Sequence, residues 1–376
     1  MGDALGALST YRGCKVLVTG HTGFKGAWLT LWLRELGATV TGLALAPHTR
    51  PSLFTLAHLD ETIDDIRCDI TDYDALLKCL LRASPDIVFH LAAQPLVRRS
   101  YLEARSTFAT NVMGTVNVLE AARHSRSVRA LVHVSTDKCY ESSTSHHARS
   151  EDDPLGGDDP YSASKAAAEL ALAAYSRSFY SSPASPVLTA SGRAGNVIGG
   201  GDWAEDRIIP DCVRAIAQQR AIAVRNPGSI RPWQHVLEAL CGYLALGAHL
   251  LAGARALCGP WNFGPDQTNA TTVANVVDAL VRAWGQGRWE HLQEDATMHE
   301  APSLFLSSEK AHRQLGWRPR WDFAETVRRT AYWYRAHAEG NDARHLCLDD
   351  IHAYMYCDDA IWPPCASGSG QPSGTP

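Results

Sequence analysis

A chain of 376 residues, 45% of them hydrophobic, can bury a large core, and its length suits two domains or one domain with a substantial lobe. The formal charge of -5 gives no basic footprint, which argues against a nucleic-acid partner but leaves room for a pocket that binds phosphates through a few arginines. No apolar run is long enough to span a bilayer, and Met1 to Tyr11 lacks the basic start and sustained apolar stretch of a secretory signal.

In chain order, Val16 to Thr19 reads as an apolar strand, followed by a glycine turn and a helix with apolar residues Trp28, Leu29, Leu31, Trp32 and Leu36. Gly37 stops that helix, and Thr39 to Leu45 opens a second strand. The polar run Asp69 to Asp74 leads into a helix through Leu81; Ile87 to Leu91 is a strand, Thr110 to Arg123 a helix, and Ala130 to Val134 a strand. Recurring strand-helix units predict an α/β fold of Rossmann type, a doubly wound parallel sheet covered on both faces. The polar segment Ser142 to Asp159 precedes a helix over Ser164 to Ser178. Lying at the carboxyl edge of the sheet, it is a candidate lid.

Beyond Gly195 the pattern is less regular, with helices expected at Asp211 to Arg220, Leu237 to Leu251, Thr272 to Trp284 and Phe323 to Ala338. We expect a Rossmann domain over 12–194 plus about 232–262, and a smaller, mostly helical substrate lobe over 195–231 plus about 263–355. Residues 356–376, ending rich in Gly, Ser and Pro, read as a disordered tail. The ten cysteines include no CxxC pair, and Cys14, Cys68, Cys79 and Cys139 fall in or beside core elements. They read as buried thiols in a reducing cytoplasm.

Gly20, Gly23 and Gly26 stand in Thr-Gly-His-Thr-Gly-Phe-Lys-Gly, between the first strand and the first helix. There one glycine permits a tight turn, one lets backbone approach a pyrophosphate, and one permits close helix packing, with the helix N-terminus facing the anion. Choice between NAD and NADP usually rests on an acidic or basic residue ending the second strand, and Ala46, Pro47, His48, Thr49 and Arg50 offer no acid. Asp69 can reach an adenine ring or cap a helix.

Tyr161 and Lys165, in Tyr-Ser-Ala-Ser-Lys, place a phenol and an ammonium on one face at the start of a helix. The phenol serves as a hydride-transfer base only if its pKa falls from about 10 toward neutrality, a stabilisation of roughly 4 kcal/mol. A lysine ammonium and an oxidised nicotinamide ring have the sign to supply it. Thr136, Asp137 and Lys138 emerge from the end of the Ala130 strand. Thr136 can bond a sugar hydroxyl and the phenol, Asp137 can protonate a leaving hydroxyl if its pKa is raised, and Lys138 can stabilise charge beside a carbonyl.

These features resemble the extended short-chain dehydrogenase/reductase family, through the glycine fingerprint, the strand end His90 to Gln94, Asn111, Tyr161 and Lys165. Within it the chain is similar to the CDP-glucose 4,6-dehydratases over Gly20 to Gly26, Ala93 to Arg98, Thr110 to Thr115, Thr136 to Tyr140, Arg193 to Trp203 and Ser229 to Glu238. The resemblance implies NAD as cofactor, held by Gly20, Thr22, Gly23, Phe24, Gly26, Asp69, Ile70, Leu91, Ala92, Ala93, Asn111, Tyr161 and Lys165. It implies a nucleotide-sugar substrate, CDP-glucose, met by Gln94, Asn196, Arg207 and Arg231; an arginine fork suits a diphosphate. It implies a homodimer or larger homo-oligomer pairing through Thr110 to Arg123 and Ser164 to Ser178.

The implied reaction is redox-neutral. Tyr161 takes the 4-hydroxyl proton while the C4 hydride goes to NAD, the new ketone acidifies C5, water leaves C6 with Asp137 as acid, and the hydride returns to C6. Related dTDP-sugar dehydratases carry glutamate at the position of Lys138, so the C5 base is either neutral Lys138 or Tyr161 acting twice while Lys138 stabilises the enolate. We favour the second, because a lysine beside an anion keeps its proton.

The chain departs from the family over Glu141 to Ser150, where the usual aromatic residues are missing; a loop beside the sugar there bears on the identity of the hexose. His146 and His147 lack metal-ligand spacing to cysteine or carboxylate, and no metal is expected. A 4-epimerase would use Tyr161 and Lys165 without needing an acid at C6, and a non-catalytic NAD sensor or scaffold would need no base. Asp137 beside Lys138 favours dehydration.

Overall fold

Runs such as Val16 to Val18, Ile87 to Phe89 and Ala130 to Val132 are too apolar to show either face to water, and they form the middle of the molecule. The computed structural model describes residues 5–142, 147–182, 185–265, 270–292 and 305–356. Its central sheet consists of β1 (Lys15–Thr19), β2 (Thr39–Ala44), β3 (Asp64–Arg67), β4 (Ile87–His90), β5 (Ala130–Val134), β6 (Leu188–Ala194) and β7 (Gly259–Phe263). The spatial order is β7-β6-β5-β4-β1-β2-β3, and every neighbouring pair is parallel. This is the doubly wound Rossmann-type sheet. Winding reverses between β1 and β4, and at such a switch point the carboxyl ends of the strands open a crevice.

Local chemistry fixes the helices that border this crevice. The first, α1 (Phe24–Glu35), starts directly after Gly23. The second, α2 (Tyr73–Ala83), is capped by Asp72, whose side chain accepts from Ala75 N at 3.0 Å; the cap is therefore not Asp69, whose Oδ1 accepts from Thr71 N at 2.8 Å. A π-helical turn, Ala109–Met113, precedes α3 (Gly114–His124). The helix α4 (Pro160–Tyr175) starts earlier than the expected Ser164, because Asp159 accepts from Ser162 N at 2.9 Å and Pro160 suits the first helical position. Tyr161 thus lies inside its first turn.

The C-terminal part is mainly helical: α5 (Ile208–Ala217), α6 (Val236–Leu251), α7 (Val273–Trp284), α8 (Phe323–Ala338) and α9 (Ala343–Tyr356). Short paired strands join Val197–Ile198 to Gln234–His235, Ile230–Pro232 to Ala270–Thr272, and Ile222–Val224 to Trp289–His291. One hydrophobic cluster runs through Trp28 and Trp32 of α1, Tyr243 of α6, Phe263 of β7, Trp333 of α8 and Tyr354 of α9. The ring of Trp32 meets that of Tyr354 edge-on at 5.5 Å, and its Nε1 donates to Met355 Sδ at 3.1 Å. The last helix therefore closes over the first. A second cluster, including Leu17, Leu43, Val88, Val118, Leu131 and Leu172, packs the opposite face of the sheet. Of the expected tail, Tyr356 ends α9, and 357–376 lie outside the described residues.

Candidate active site

The crevice is a cavity of about 970 Å³ running from the glycine turn across the ends of β4, β5 and β6 to the 222–231 segment. At its first end Gly20 has φ +77°, and a Cβ there would lie 2.7 Å from Ala92 N; a Cβ on Gly26 would lie 2.1 Å from Gly20 O. Thr19 Oγ1 accepts from Leu91 N and Ala92 N at 3.2 Å, and Thr22 Oγ1 donates to Leu45 O at 3.1 Å. The turn is thus held against β4 and the end of β2 with its backbone bare, a shape that admits a pyrophosphate over the helix N-terminus. Phe24, Gly23, Asp69, Ile70 and Ala93 line the same end. The lining residues directly following β2, among them Ala46, His48 and Thr49, include no acid.

Asn111 differs from the other expected cofactor residues. It is buried beneath the cavity rather than among its lining residues, donating from Nδ2 to Gln94 O at 3.1 Å and Ser164 Oγ at 2.9 Å and accepting from Gln94 N at 2.8 Å. The π-helical turn carries it, and it ties the β4 loop to α4. Gln94 is likewise occupied: Nε2 donates to Leu96 O at 3.1 Å and Thr107 Oγ1 at 3.0 Å, while Oε1 accepts from Leu96 N at 2.6 Å. Its amide shapes the turn from Ala93 to Leu96, although the residue still borders the cavity.

At the centre, Thr136, Asp137, Lys138, Tyr161 and Lys165 share the cavity wall. Thr136 Oγ1 donates to Asp137 Oδ1 at 3.0 Å and accepts from Lys138 N at 3.3 Å. Lys165 Nζ donates to Val134 O at 2.8 Å. Burial pulls the Lys165 ammonium down to about 8, with Glu169 the largest influence pulling it back up. Burial pushes Tyr161 up to about 12, a hydrogen bond with Thr136 lowers it, Asp137 raises it and Arg207 lowers it. The protein by itself therefore keeps the phenol neutral, and lowering its pKa falls to the charges of bound ligands acting with these cations. Lys165 is drawn to the Val134 carbonyl rather than to the phenol.

Asn196, Arg207 and Arg231 line the far half of the cavity. Arg207 NH1 pairs with Asp202 Oδ2 at 2.9 Å and influences Tyr161, which puts it toward the reacting end. Arg231 extends from the Ile230–Pro232 strand near Asn226 and Ser229.

One expectation is corrected. Of the described part of Ser142 to Asp159, only Asp159 reaches the cavity. The rest is strapped down: Arg149 N donates to Phe305 O at 2.7 Å and Gly156 N to Cys139 O at 2.9 Å, so the described part does not have the free backbone of a lid. His146 lies outside the described residues, and His147 Nε2 meets Asp153 Oδ1 at 3.2 Å. Among the described residues no group of three His, Cys, Asp or Glu could hold a metal, and no helix is long and apolar enough to cross a membrane.

The residue overlooked in the sequence is Lys25. It borders the cavity between Phe24 and Gly26, its Nζ 5.9 Å from the Tyr243 ring centroid, and burial lowers its pKa to about 8 with Arg207 adding to the effect and Asp137 opposing it. A lysine standing directly before the last glycine of the motif was the available signal.

A glycine cradle at the switch point of a parallel sheet, facing a tyrosine and lysine one helical turn apart, defines a dinucleotide-dependent enzyme of the short-chain dehydrogenase/reductase type. Residues 17–330 match the family model described as GDP-mannose 4,6 dehydratase, and the chain belongs to that family. It is 45% identical over 349 residues to the CDP-glucose 4,6-dehydratase of Salmonella typhimurium, covering 92% of this chain and 97% of the relative. It resembles the crystal structure of a dTDP-glucose 4,6-dehydratase from Streptomyces venezuelae with NAD bound, with a TM-score of 0.72, 28% identity, and coverage of 86% of this chain and 98% of that one. A UDP-glucose 4-epimerase of Thermus thermophilus in complex with NAD gives a TM-score of 0.72 at 26% identity, covering 85% of this chain and 98% of that one.

Proposed function

We propose that this chain is an NAD-dependent nucleotide-sugar 4,6-dehydratase that converts CDP-D-glucose to CDP-4-dehydro-6-deoxy-D-glucose and water. The observation that carries the reading is that Tyr161, Thr136 and Asp137 share one cavity wall, with Thr136 Oγ1 donating to Asp137 Oδ1, since an acid beside the base is what elimination needs and epimerisation does not. The 45% identity to a CDP-glucose 4,6-dehydratase supports the choice of substrate. The glycine cradle, Asp69, Ile70 and the Leu91 to Ala93 backbone fit NAD, and Asn196, Arg207 and Arg231 fit the nucleotide sugar. NAD, when bound, accepts a hydride and gives it back within one turnover.

The chain's own part is proton handling. Tyr161 takes the proton of the sugar 4-hydroxyl and passes it through the Thr136 hydroxyl to Asp137, to which Thr136 already donates at 3.0 Å. Asp137 then gives that proton to the departing 6-hydroxyl, so the water lost carries the proton that oxidation released. With its first proton gone, Tyr161 takes the C5 proton, and the Lys138 ammonium stabilises the enolate. Arg207 supplies positive charge to the phenolate, and the Lys165 ammonium shares the cavity wall with it.

We read the assembly as a cytoplasmic homodimer, supported by the free cysteines among the described residues and by exposed Leu102, Phe108, Met113, Leu170 and Phe179 along the helices from 97 to 180. In this reading the sheet-bearing part, 12–194 with about 232–262, binds NAD and the remainder binds the sugar nucleotide. Mass spectrometry of CDP-, dTDP- and GDP-glucose incubated with the purified protein and NAD tests the function. Loss of one water from CDP-glucose is expected. An isomer of unchanged mass means epimerisation, and no turnover of any of them favours a sensor or scaffold.

A further inference from the structure

Glu169 lies one turn beyond Lys165 on α4, on the same face of the helix, and is 4% exposed. A carboxylate taken out of water is costly unless charge and hydrogen bonds answer it. Its Oε2 accepts from Ser191 Oγ at 2.8 Å and from Arg193 NH2 at 2.9 Å, both on β6, while its Oε1 is buried without a hydrogen-bond partner. Arg193 turns its other nitrogen away, donating to the Tyr140 hydroxyl at 2.9 Å; that hydroxyl donates to Asn262 Oδ1 at 2.7 Å on β7. Asn262 N donates to Glu151 Oε1 at 2.8 Å. The carboxylate is thus braced by β6 and, through Arg193, by β7, with one oxygen left over.

We propose that Glu169 is a positioning residue whose carboxylate keeps Lys165 an ammonium beneath the reacting sugar. Its purpose rests on the dehydratase reading; its geometry does not. Burial alone drives Lys165 toward the neutral amine, and Glu169 is the largest influence in the opposite direction. The other titratable groups around Lys165 are Tyr161 on its own helix, Asp137 and Cys139 from the turn after β5, His133 of β5, His90 of β4 and Lys25 of the glycine turn. Burial keeps both histidines neutral, His90 down to about 3, and holds the Cys139 thiol protonated, so none of these three can replace Glu169 as a counter-charge. Arg193 compensates the charge of Glu169 from the far side, where it bonds Tyr140.

The test follows the lysines of the full-length protein by carbon-13 NMR at Cε, with Lys165 assigned by its disappearance in Lys165→Met. A midpoint near 8 is expected in the unaltered protein. In Glu169→Gln it should fall by about one pH unit or more. Removing one member of a buried pair can prevent folding, so Glu169→Leu combined with Arg193→Leu, which removes both charges, is the second variant and should show a smaller fall in the same direction. An unmoved midpoint in a folded variant overturns the proposal. Where the protein turns over CDP-glucose, the alkaline limb of kcat should move down in step, whereas an equal loss of rate at every pH would mean that Glu169 only braces the helix. No turnover together with a shifted midpoint rejects the dehydratase reading and leaves the coupling of Glu169 to Lys165 standing.

Discussion

Lys165, at the carboxyl edge of the sheet, and Glu238, in the first turn of α6, are both buried ionisable groups, and the chain treats them in opposite ways. Lys165 donates to one carbonyl and borders a cavity. Glu238 is saturated, accepting from Arg320 N at 3.0 Å, Trp321 N at 2.8 Å and the Tyr354 hydroxyl at 2.6 Å. Asp350 Oδ1 is likewise paired, with Arg329 at 2.9 Å, while its Oδ2 is buried without a hydrogen-bond partner. Lys165 keeps donor capacity toward a cavity, whereas the hydrogen bonds of Glu238 join α6 to Arg320, Trp321 and α9.

The sharpest way to break this comparison is to remove one hydroxyl from each region. Tyr161→Phe should lower kcat by about 10²- to 10⁴-fold with an unchanged thermal midpoint, whereas Tyr354→Phe should leave kcat in place and cost about 1 kcal/mol in urea unfolding. A large loss of stability in Tyr161→Phe would put it with the architecture.

Titration separates the regions next. Burial raises Glu238 to about 7 and Asp350 to about 6, above their ordinary values. Their contribution to stability is therefore fully present below pH 4 and is lost as pH rises through 6 and 7. For Glu238 the change is about 3 kcal/mol, read as a falling urea midpoint between pH 5 and pH 8, and Glu238→Gln should flatten most of it. His90 and His235 have the reverse sign: both are lowered to about 3, so their contribution is present above about 6.5 and is lost as pH falls toward 3.

Glycines give the third contrast. A Cβ on Gly26 would press on Gly20 O at 2.1 Å, and one on Gly200 would enter the Trp333 ring at 2.0 Å. Gly26→Ala should weaken NAD binding at least about tenfold in calorimetry, since the cradle must shift, while Gly200→Ala should cost about 1–3 kcal/mol of stability and leave NAD affinity within twofold.

The same division decides what was legible. The cradle, Tyr161, Lys165 and Thr136 to Lys138 stand out because their chemistry is local: a turn, a cap, two side chains one helical turn apart. The winding of the sheet followed from its repeating units. Strand β6 was not legible, because Ser191 and Arg193 interrupt its apolar residues and find their partner only in Glu169, 24 positions from Arg193. Helix α9 was missed for a related reason, since Tyr354 finds its place through Glu238, 116 positions away. Gln94 and Asn111 were expected at the site, but only the fold shows that the Asn111 amide is spent on the Gln94 backbone and the Gln94 amide on Leu96 and Thr107.

The central claim is that one protein carries out oxidation, elimination and reduction on the same sugar without net redox change. It is tested most directly with CDP-glucose deuterated at C4, incubated with the purified protein and NAD and followed by mass spectrometry and NMR. The account predicts a product one water lighter with the deuterium at C6 and no accumulation of reduced cofactor; deuterium still at C4, or released into free reduced cofactor, would contradict it.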